Sequence, residues 1–443
     1  MKILGITAEF NPFHNGHQYF LKEARKKSQA DVVIVALSGN FVQRGEPAIV
    51  DKFTRADAAL INGADLVVEM PTISCLSSSF EYAFGAVNIL IHLGCNAIAF
   101  GSETTNQEYL RKAAYVIDHC QKYSMEYSTP AYIRDLNAAI YQKIKSGISY
   151  PAALYGSIEE CFPEIKEAFS GANSKLAIEY IRSINATNRI YHTDKDIELI
   201  PIQRVGNEHD SREIDIENHY ASATRIRELL SANDSITGLI PSNLSEAFAN
   251  NLLTADKYIN LNDFSEILNY KLLNEYFRCH GNNYLFLNNL KNIHGSSKEL
   301  TMRIFRFIES REKFTDFDQF CKTIKTKNVT LSHVKRFLLC LLLDLKSPAI
   351  SLANQSAENN IDSYTISKPY ARILGFNKTG IKYLHDFKET EDIDNITLIT
   401  KTADYKDLLN DDIHASDVYI SMCNSKGIDL QDDFRHNLII KKH

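Results

Sequence analysis

The chain contains no tryptophan, and its eight cysteines show no C-x-x-C pair or other spacing typical of metal ligands. Neither a zinc site nor a disulfide framework is therefore predicted, and we assign no metal ligands. Several cysteines lie in apolar runs, where a thiol behaves as a small hydrophobic side chain. Free thiols of this kind fit a reducing compartment, so we expect the protein to be cytoplasmic.

The sequence also lacks an apolar segment long enough to cross a membrane, and its N-terminus does not resemble a signal peptide. The longest apolar run, residues 337–343, is followed by Asp344 and Lys346, and it predicts a buried core helix. A G-x-x-x-x-G-K-[ST] loop and an H-E-x-x-H motif are both missing. These absences disfavour a P-loop enzyme, a zinc protease and a membrane partner.

What the sequence does contain is typical of a folded protein. The 443 residues are 44% hydrophobic and 23% charged, which suits two or three domains and argues against global disorder. The net charge of −6 argues against a uniformly basic surface for nucleic acid, and no DNA partner is predicted. A local basic patch remains compatible with this charge.

The first half of the chain alternates between strands and helices. Runs rich in Val, Ile and Leu predict strands that are buried on both faces, at residues 2–6, 31–37, 65–70, 96–100 and 198–202. With helical patterns between them, they predict an α/β fold with a Rossmann-like, doubly wound parallel sheet. Ligands of such sheets bind beyond the carboxyl ends of the strands. The segments that follow the strands should therefore meet at one edge.

The second half is different, because strand-like runs fade after residue 231 and helical patterns dominate. The clearest of these patterns lie at residues 262–278, 299–309 and 332–344. We therefore predict two domains, residues 1–232 with the sheet and residues 233–443, which are mainly α-helical. Residues 353–365 predict an exposed loop.

Basic residues are concentrated in one part of the helical half. Residues 291–346 contain twelve Lys or Arg and six Asp or Glu, a local charge of +6 in a protein of net charge −6. A solvated helical surface explains such a count as well as a footprint for a phosphate backbone does. If the segment binds tRNA, the candidate contacts are Arg303, Arg306, Lys335 and Arg336.

Two histidines at the first predicted strand-to-helix turn are the most informative feature of the chain. His14 and His17 follow the strand, and Pro12 and Gly16 lie beside them. Free N–H groups and the helix dipole make such a helix start an anion site. Imidazoles three residues apart share a helix face and reach the same phosphate. A cap or a surface histidine is the alternative, but the position favours phosphate binding.

Other polar clusters follow later strands. In the loop of residues 38–48, Gln43, Arg44 and Glu46 are candidates for substrate recognition, although a plain crossover loop is the alternative. Lys52 and Arg55 share a face of the next helix and are interpreted as surface charge.

Two more clusters lie near predicted helix starts. Asn173 suits a helix N-cap or a contact to adenine or ribose. Arg204 follows the fifth strand, and a second anion site is predicted at the helix start of Ser222, Thr224 and Arg225.

Taken together, these motifs resemble those of the nucleotidylyltransferase superfamily and its G-x-F-x-P-x-H-x-G-H loop. Ala8 stands where that loop often has Gly, and the matching residues are Phe10, Pro12, His14, Gly16 and His17. More closely, the chain resembles the bacterial tRNA(Met) cytidine acetate ligase family. That resemblance rests on residues 8–17, on the Gln-Arg-Gly-Glu-Pro-Ala sequence at 43–48, and on residues 100–103 and 372–376.

The resemblance implies a nucleotidylyltransferase-type fold and a ligase that converts acetate and ATP to acetyl-adenylate. The acetyl group would then pass to N4 of the wobble cytidine of elongator tRNA(Met), giving N4-acetylcytidine. His14 and His17 would be catalytic, and Mg²⁺ would accompany the nucleotide. ATP would be bound by Thr7, Ala8, Glu9, Phe10, Asn11, Pro12, Phe13, His14, Asn15, Gly16, His17, Gln18, Tyr19, Phe20, Gly101, Asn173 and Arg204.

One position departs from the family pattern. Where the family usually has Pro-Asn-Asn, this chain has Ala172, Asn173 and Ser174, so the ATP contact falls on either Asn173 or Ser174. Two other functions stay open from the residues themselves. One is a nucleotidylyltransferase that acts on a small phosphorylated metabolite, which has no need of a basic helical half. The other is a non-catalytic tRNA-binding protein, against which the intact histidine pair argues.

Overall fold

The computed structural model describes residues 1–122, 131–203, 219–244, 258–347 and 368–442. Within them, eight strands form one sheet in the order β10-β8-β5-β2-β1-β6-β7, with β9 beside β8, and β3 and β4 form a separate hairpin. The strands are β1 Ile3–Ala8, β2 Val32–Ser38, β3 Phe41–Val42, β4 Glu46–Pro47, β5 Leu66–Met70, β6 Ala97–Ser102, β7 Glu198–Gln203, β8 Tyr370–Phe376, β9 Thr397–Ile399 and β10 Ile439–Ile440.

The predicted α/β fold is confirmed, because β5, β2, β1, β6 and β7 are parallel neighbours. The described helices are α1 Asn15–Ser28, α2 Lys52–Ile61, α3 Thr72–Cys75, α4 Ser79–His92, α5 Gln107–Lys122, α6 Ala131–Lys145, α7 Tyr150–Cys161, α8 Ala172–Ile190, α9 Ala223–Ser231, α10 Ser265–Arg278, α11 Asn283–Leu290, α12 Lys298–Glu309, α13 Phe317–Ile324, α14 Leu331–Leu342, α15 Lys378–Lys388 and α16 Asn410–Ser425.

Helices cover both faces of the sheet, which explains why its central strands are apolar throughout. All seven residues of β2 are buried. Leu4 and Ile6 of β1 pack with residues of α1, α2 and α9 on one face. The opposite face packs against α4, α5, α8 and α15. Burial on both sides removes the polar and apolar alternation of a half-exposed strand.

A bundle of helices α10–α14 forms a second core. The apolar run at residues 337–343 lies in and just after α14, and Phe337 and Leu338 are fully buried, so the predicted buried helix is confirmed. All eight cysteines are free thiols, and seven of them are buried. In the described ranges, no helix has the length and apolar character that a membrane span requires. Residues 353–365, predicted as an exposed loop, lie outside these ranges.

The chain does not stay helical to its end, since β8 returns to the sheet and runs antiparallel to β5. Arg372 of β8 contributes to a buried cluster of two cations and two carboxylates. Lys52 Nζ lies 2.8 Å from both Glu69 and Asp433, and Arg372 lies 3.0 Å from Glu69 and 2.6 Å from Asp433. Lys52 is only 1% exposed, so the interpretation of Lys52 as surface charge was wrong. The sheet therefore contains strands from both sides of the predicted boundary at residue 232.

Candidate active site

The loop between β1 and α1, residues 9–14, forms the centre of the candidate site. Phe10 has a left-handed backbone conformation with φ 47°, and the Asn11–Pro12 peptide bond is cis. Asn11 Oδ1 accepts a hydrogen bond of 2.8 Å from the Ile49 backbone N–H. This bond fastens the loop to the segment that follows β4. The structure thus has the strand, tight loop and helix that the sequence predicts.

His14 is the N-cap of α1 and has a defined hydrogen-bonding role. Its Nδ1 accepts a bond of 3.1 Å from the Gly16 backbone N–H, so the ring proton belongs on Nε2. The ring lies so close to the helix that a Cβ at Gly16 would be 2.9 Å from His14 Cε1. Gly16 thereby allows His14 to present an N–H donor at the end of the sheet.

His17 stacks on His14, with ring centroids 3.7 Å apart and an angle of 27° between the planes. Its other ring neighbours are Phe10 at 4.9 Å and Phe13 at 5.7 Å. The structure therefore brings the two imidazoles together, and an apolar aromatic wall fixes the orientation of the second ring. Tyr19, also assigned to the ATP loop, packs edge-on against Tyr220.

The first turn of α1 differs in one respect from the expectation of free N–H groups. The Asn15 backbone N–H donates to Leu239 O at 3.1 Å, and the Gly16 N–H is used by His14. The Asn15 side chain donates to backbone carbonyls of residues 219 and 238, and Gln18 donates to Asn62. Asn15 and Gln18 thus fasten the helix to its surroundings. The backbone N–H groups of Asn15 and Gly16 are therefore already bonded within the protein.

Arg55 holds the carboxyl ends of β1 and β2 together. Its guanidinium donates to the carbonyls of Glu9 at 2.7 Å, Ser38 at 3.0 Å, Val50 at 3.0 Å and Gly39. The residue has no exposed surface, and burial lowers the pKa of its guanidinium. The interpretation of Arg55 as surface charge was therefore wrong, because strand-end carbonyls supply the partners that a buried cation needs.

Glu9 follows β1 and is the first residue of the loop of residues 9–14. Its Oε1 accepts a bond of 2.7 Å from the Gln43 backbone N–H. Burial raises the pKa of Glu9, and the nearby cations Arg44, Arg227 and Arg55 act in the opposite direction.

At the start of α9, Arg225 and Arg227 have different partners. Arg225 pairs with Glu228 at 3.4 Å, and its N–H is capped by Ser222. Arg227 instead donates to Asn11 O at 2.7 Å and to Thr224 Oγ1 at 3.4 Å. Burial lowers the pKa of Arg227. Its bond to Asn11 connects α9 directly to the loop of residues 9–14. The spacing of three residues from Thr224 places Arg227 on the same helix face.

At the end of β6, a carboxylate occupies the N-terminus of α8. Glu103 Oε1 accepts from Asn173 Nδ2 and Glu103 Oε2 from the Ser174 backbone N–H, both at 2.7 Å. Although burial opposes it, hydrogen bonds from both residues lower the pKa of Glu103. Ser174 is fully buried against Ser102, whereas Asn173 is half-buried at the edge of the sheet. Arg204 lies outside the described residues.

The loop of residues 38–48 is fastened to the helical bundle. Arg336 donates to Gln43 O at 3.0 Å, and Lys335 Nζ lies 3.0 Å from Glu46 Oε1 and 3.0 Å from Asp318 Oδ1. Gly45, with φ 76°, packs so tightly on α14 that a Cβ there would be 2.7 Å from the Arg336 backbone N.

This contact corrects part of the tRNA assignment. Lys335 is 12% exposed and Arg336 is engaged by the loop, so both side chains face into the protein. They hold the loop of residues 38–48 instead of presenting charge to solvent. Arg303 and Arg306 on α12 are exposed, as the assignment requires. Within the ranges that the structure describes, no group of three or more His, Cys, Asp or Glu is arranged to bind a metal ion.

Both the sequence and the fold of the chain are similar to those of known proteins. The profile of the HIGH Nucleotidyl Transferase family matches residues 1–433. A Thermosipho africanus protein named tRNA(Met) cytidine acetate ligase is 31% identical over 431 residues, covering 96% of this chain and 91% of the relative. The protein of that name from Clostridium kluyveri is 32% identical over 454 residues and covers 100% of both.

Two crystal structures have a similar fold over their whole length. Thermotoga maritima TmcAL in its apo form gives a TM-score of 0.79, with 25% identity and 100% coverage of both chains. The same protein bound with alpha-thio ATP gives a TM-score of 0.77, with the same identity and coverage.

Proposed function

This chain belongs to the HIGH nucleotidyl transferase family and has tRNA(Met) cytidine acetate ligases as relatives, and on that premise we propose that it is an enzyme of the same activity. It joins acetate to AMP from ATP, releases pyrophosphate, and transfers the acetyl group to N4 of the wobble cytidine of elongator tRNA(Met). The observation that carries this proposal is the stacked His14–His17 pair at the end of β1, in a chain that matches these ligases over its whole length.

The first step needs stabilisation of negative charge at the α-phosphate. His14 offers an Nε2–H donor, because its Nδ1 is used by Gly16. Donors of this kind stabilise charge that develops in the transition state without having to reorganise. Arg227 touches the loop at Asn11 and supplies a buried positive charge on the same side. A nucleotide bound along residues 7–20 would meet both groups.

Recognition of the nucleoside would fall to the edge formed by β6 and α8. Asn173 is held by Glu103 through its amide nitrogen, which directs the amide oxygen away from that carboxylate. An amide oxygen accepts a hydrogen bond from the adenine amino group or from a ribose hydroxyl. Ser174 is buried and bonded to Ser102 and Glu103, so we favour Asn173 as the contact. Gly101 and Arg204 complete the proposed ATP site.

Magnesium would arrive with the nucleotide and not in a protein cage. No described cluster of carboxylates, histidines or cysteines offers three ligands. Mg²⁺ bound through phosphate oxygens and water neutralises the triphosphate charge and needs few protein ligands. ATP and tRNA as substrates favour the cytoplasm as the place where the enzyme acts.

The second step requires that a tRNA anticodon loop reach the activated acetyl group. The wobble base lies in a single-stranded loop, where a base can turn out of the stack and enter a pocket. The helical bundle, which includes α12, is joined to the substrate loop through α14. We assign phosphate contacts there to Arg303 and Arg306.

The direct test combines the protein with ATP, labelled acetate and total tRNA, followed by digestion of the RNA and detection of N4-acetylcytidine. We expect label in elongator tRNA(Met), and we expect His14→Ala and His17→Ala to abolish it while tRNA binding remains. ATP–pyrophosphate exchange should depend on acetate. Exchange without acetate would instead support a nucleotidylyltransferase that acts on another small substrate.

A further inference from the structure

Glu9 lies within the segment assigned to ATP, but its side chain is a carboxylate. An ionised carboxylate repels a triphosphate, so its place beside the histidine loop calls for another role. Leu4, Ile6 and Ala8 of β1 face the core that contains α1. Glu9 comes next after Ala8 and interacts electrostatically with Tyr82 of α4 and Tyr180 of α8, which cover the other face. The Glu9 side chain therefore lies at the carboxyl end of β1, near α4 and α8.

The contacts of Glu9 connect it to the part of the protein through which tRNA would approach. Its Oε1 is held by the Gln43 backbone N–H at 2.7 Å. The carbonyl of Gln43 in turn accepts from Arg336 of α14 at 3.0 Å. Glu9 thus lies directly under the loop that joins the nucleotide site to the helical bundle. A base delivered from the bundle would meet this carboxylate as it reaches the activated acetyl group.

We propose that Glu9 accepts the proton that the acceptor amine of cytidine loses during acetyl transfer, an inference that rests on the proposed function. The amine nitrogen forms a bond to the acetyl carbon, and the bond from that carbon to the phosphate oxygen breaks. AMP leaves with the electron pair, and one amine proton moves to the Glu9 carboxylate and then to water. The products are the acetylated cytidine, AMP and one proton.

The electrostatic environment suits this role. Burial raises the pKa of Glu9 above 4.5, which makes the ionised form a stronger base than an exposed glutamate. The cations Arg44, Arg227 and Arg55 act in the opposite direction and favour the ionised form. An exocyclic amine on an aromatic ring is a weak nucleophile. It becomes acidic only as its bond to carbon forms, and that is when a neighbouring carboxylate can take the proton.

The test uses Glu9→Gln in the full-length protein, because the amide oxygen still accepts the bond from Gln43. The matched control is Glu81→Gln, a half-buried carboxylate in the capping box at the start of α4, where glutamine also serves. Acetate-dependent ATP–pyrophosphate exchange measures the first step. A single turnover of enzyme-bound acetyl-adenylate, started by adding tRNA, measures the second. Thermal unfolding reports whether each variant is folded.

We expect Glu9→Gln to slow the single-turnover transfer by roughly 100-fold or more, with exchange reduced less than about tenfold. Transfer at the wild-type rate would overturn the inference, and so would an equal loss in both steps. If the wild-type protein shows no acetate-dependent exchange, the proposed function itself fails, which is a separate result. The Glu81→Gln protein should match the wild type in both assays.

The pH dependence gives a readout that a structural role would not change. The wild-type transfer rate should rise with pH until Glu9 is ionised, and this rise should be absent in Glu9→Gln. The other groups that face Glu9 keep their charge between about pH 5 and 8, since arginine stays protonated and burial raises the pKa of the thiol and of both phenols. These groups are Arg44, Arg55, Arg227, Cys75, Tyr82 and Tyr180.

Discussion

Replacing Gly16 by alanine should slow acetate-dependent ATP–pyrophosphate exchange by roughly 10- to 100-fold without unfolding the protein. The added Cβ would lie 2.9 Å from His14 Cε1, where an ordinary contact needs at least 3.4 Å. The His14 ring must therefore move by about 0.5 Å. That shift lengthens the 3.1 Å bond from the Gly16 N–H to His14 Nδ1 to about 3.6 Å, which is too long for a hydrogen bond.

Gly16→Ala should reduce catalysis and change the stability little. Freed from its bond, the imidazole no longer directs Nε2–H at the phosphate, and a displacement of about 1 Å in such a donor costs up to about 100-fold in rate. Alanine is a better helix former than glycine by up to about 1 kcal/mol, which offsets the loss of about 1 kcal/mol from the broken N-cap bond, so the melting temperature should change little. Initial rates of exchange over a range of ATP concentrations, together with thermal unfolding, measure both effects.

Gly156→Ala is the matched control, because it adds the same methyl group to α7. Its Cβ would lie 3.4 Å from the flexible end of Lys143, and no catalytic group is near it in the described contacts. Exchange should be unchanged, and stability should rise by up to about 1 kcal/mol. A Gly16→Ala enzyme with the wild-type exchange rate would refute the role that we give to the position of His14.

Three further outcomes follow from the contacts described above. Charge reversal at Arg303 and Arg306 should weaken tRNA binding and lower the slope of log affinity against log salt by about one unit per lost phosphate contact, measured by filter binding. Asn173→Ala should raise the Kd of ATP, measured by calorimetry, by about tenfold, which is the contribution of one hydrogen bond. Ser174→Ala should leave that Kd unchanged and lower the free energy of unfolding by about 1–3 kcal/mol. Asp433→Asn should lower the free energy of unfolding at neutral pH by about 3–5 kcal/mol, measured with denaturant. The reason is that the buried cluster of two cations and two carboxylates loses one negative charge.

The last of these also has a pH signature. Its neighbouring cations hold the pKa of Asp433 at about 2, against the upward effect of burial. A carboxylate whose pKa is lowered by folding stabilises the protein fully at a pH above its unfolded pKa of about 4. This stabilisation is lost as the pH falls through about 2. The difference in stability between wild type and variant should therefore shrink in strong acid.

For tRNA binding, charge reversal at the exposed Arg435 is the control and should change neither the affinity nor the salt slope.

Much of the fold was predictable because parallel strands buried on both faces leave continuous apolar runs. The family was also predictable, since residues 8–17 and 43–48 carry specific sequences. The return of β8 was not, because a strand at the end of the chain shows nothing of its partner in the first hundred residues. The roles that we give to individual site residues stay predictions that the variants above will test.

Long-range partners also explain the errors in assigning charged side chains. Lys52 and Arg55 were taken for surface charge because their partners are a distant carboxylate and strand-end carbonyls. Lys335 was placed in the basic segment because its charge was counted, while its contact with Glu46 depends on how the bundle docks. Charge counts report composition, and only the fold decides which charges reach solvent.

The position of β8 has a consequence for how the protein is made. Lys52 and Asp433 are bonded across 381 residues of sequence, so a ribosome must finish nearly the whole chain before they meet. Until β8 is made, the growing sheet has an open β5 edge, which can pair with other growing chains. The C-terminal segment thus completes the N-terminal sheet. We expect translation that stops early to leave an aggregation-prone fragment and not a smaller active enzyme.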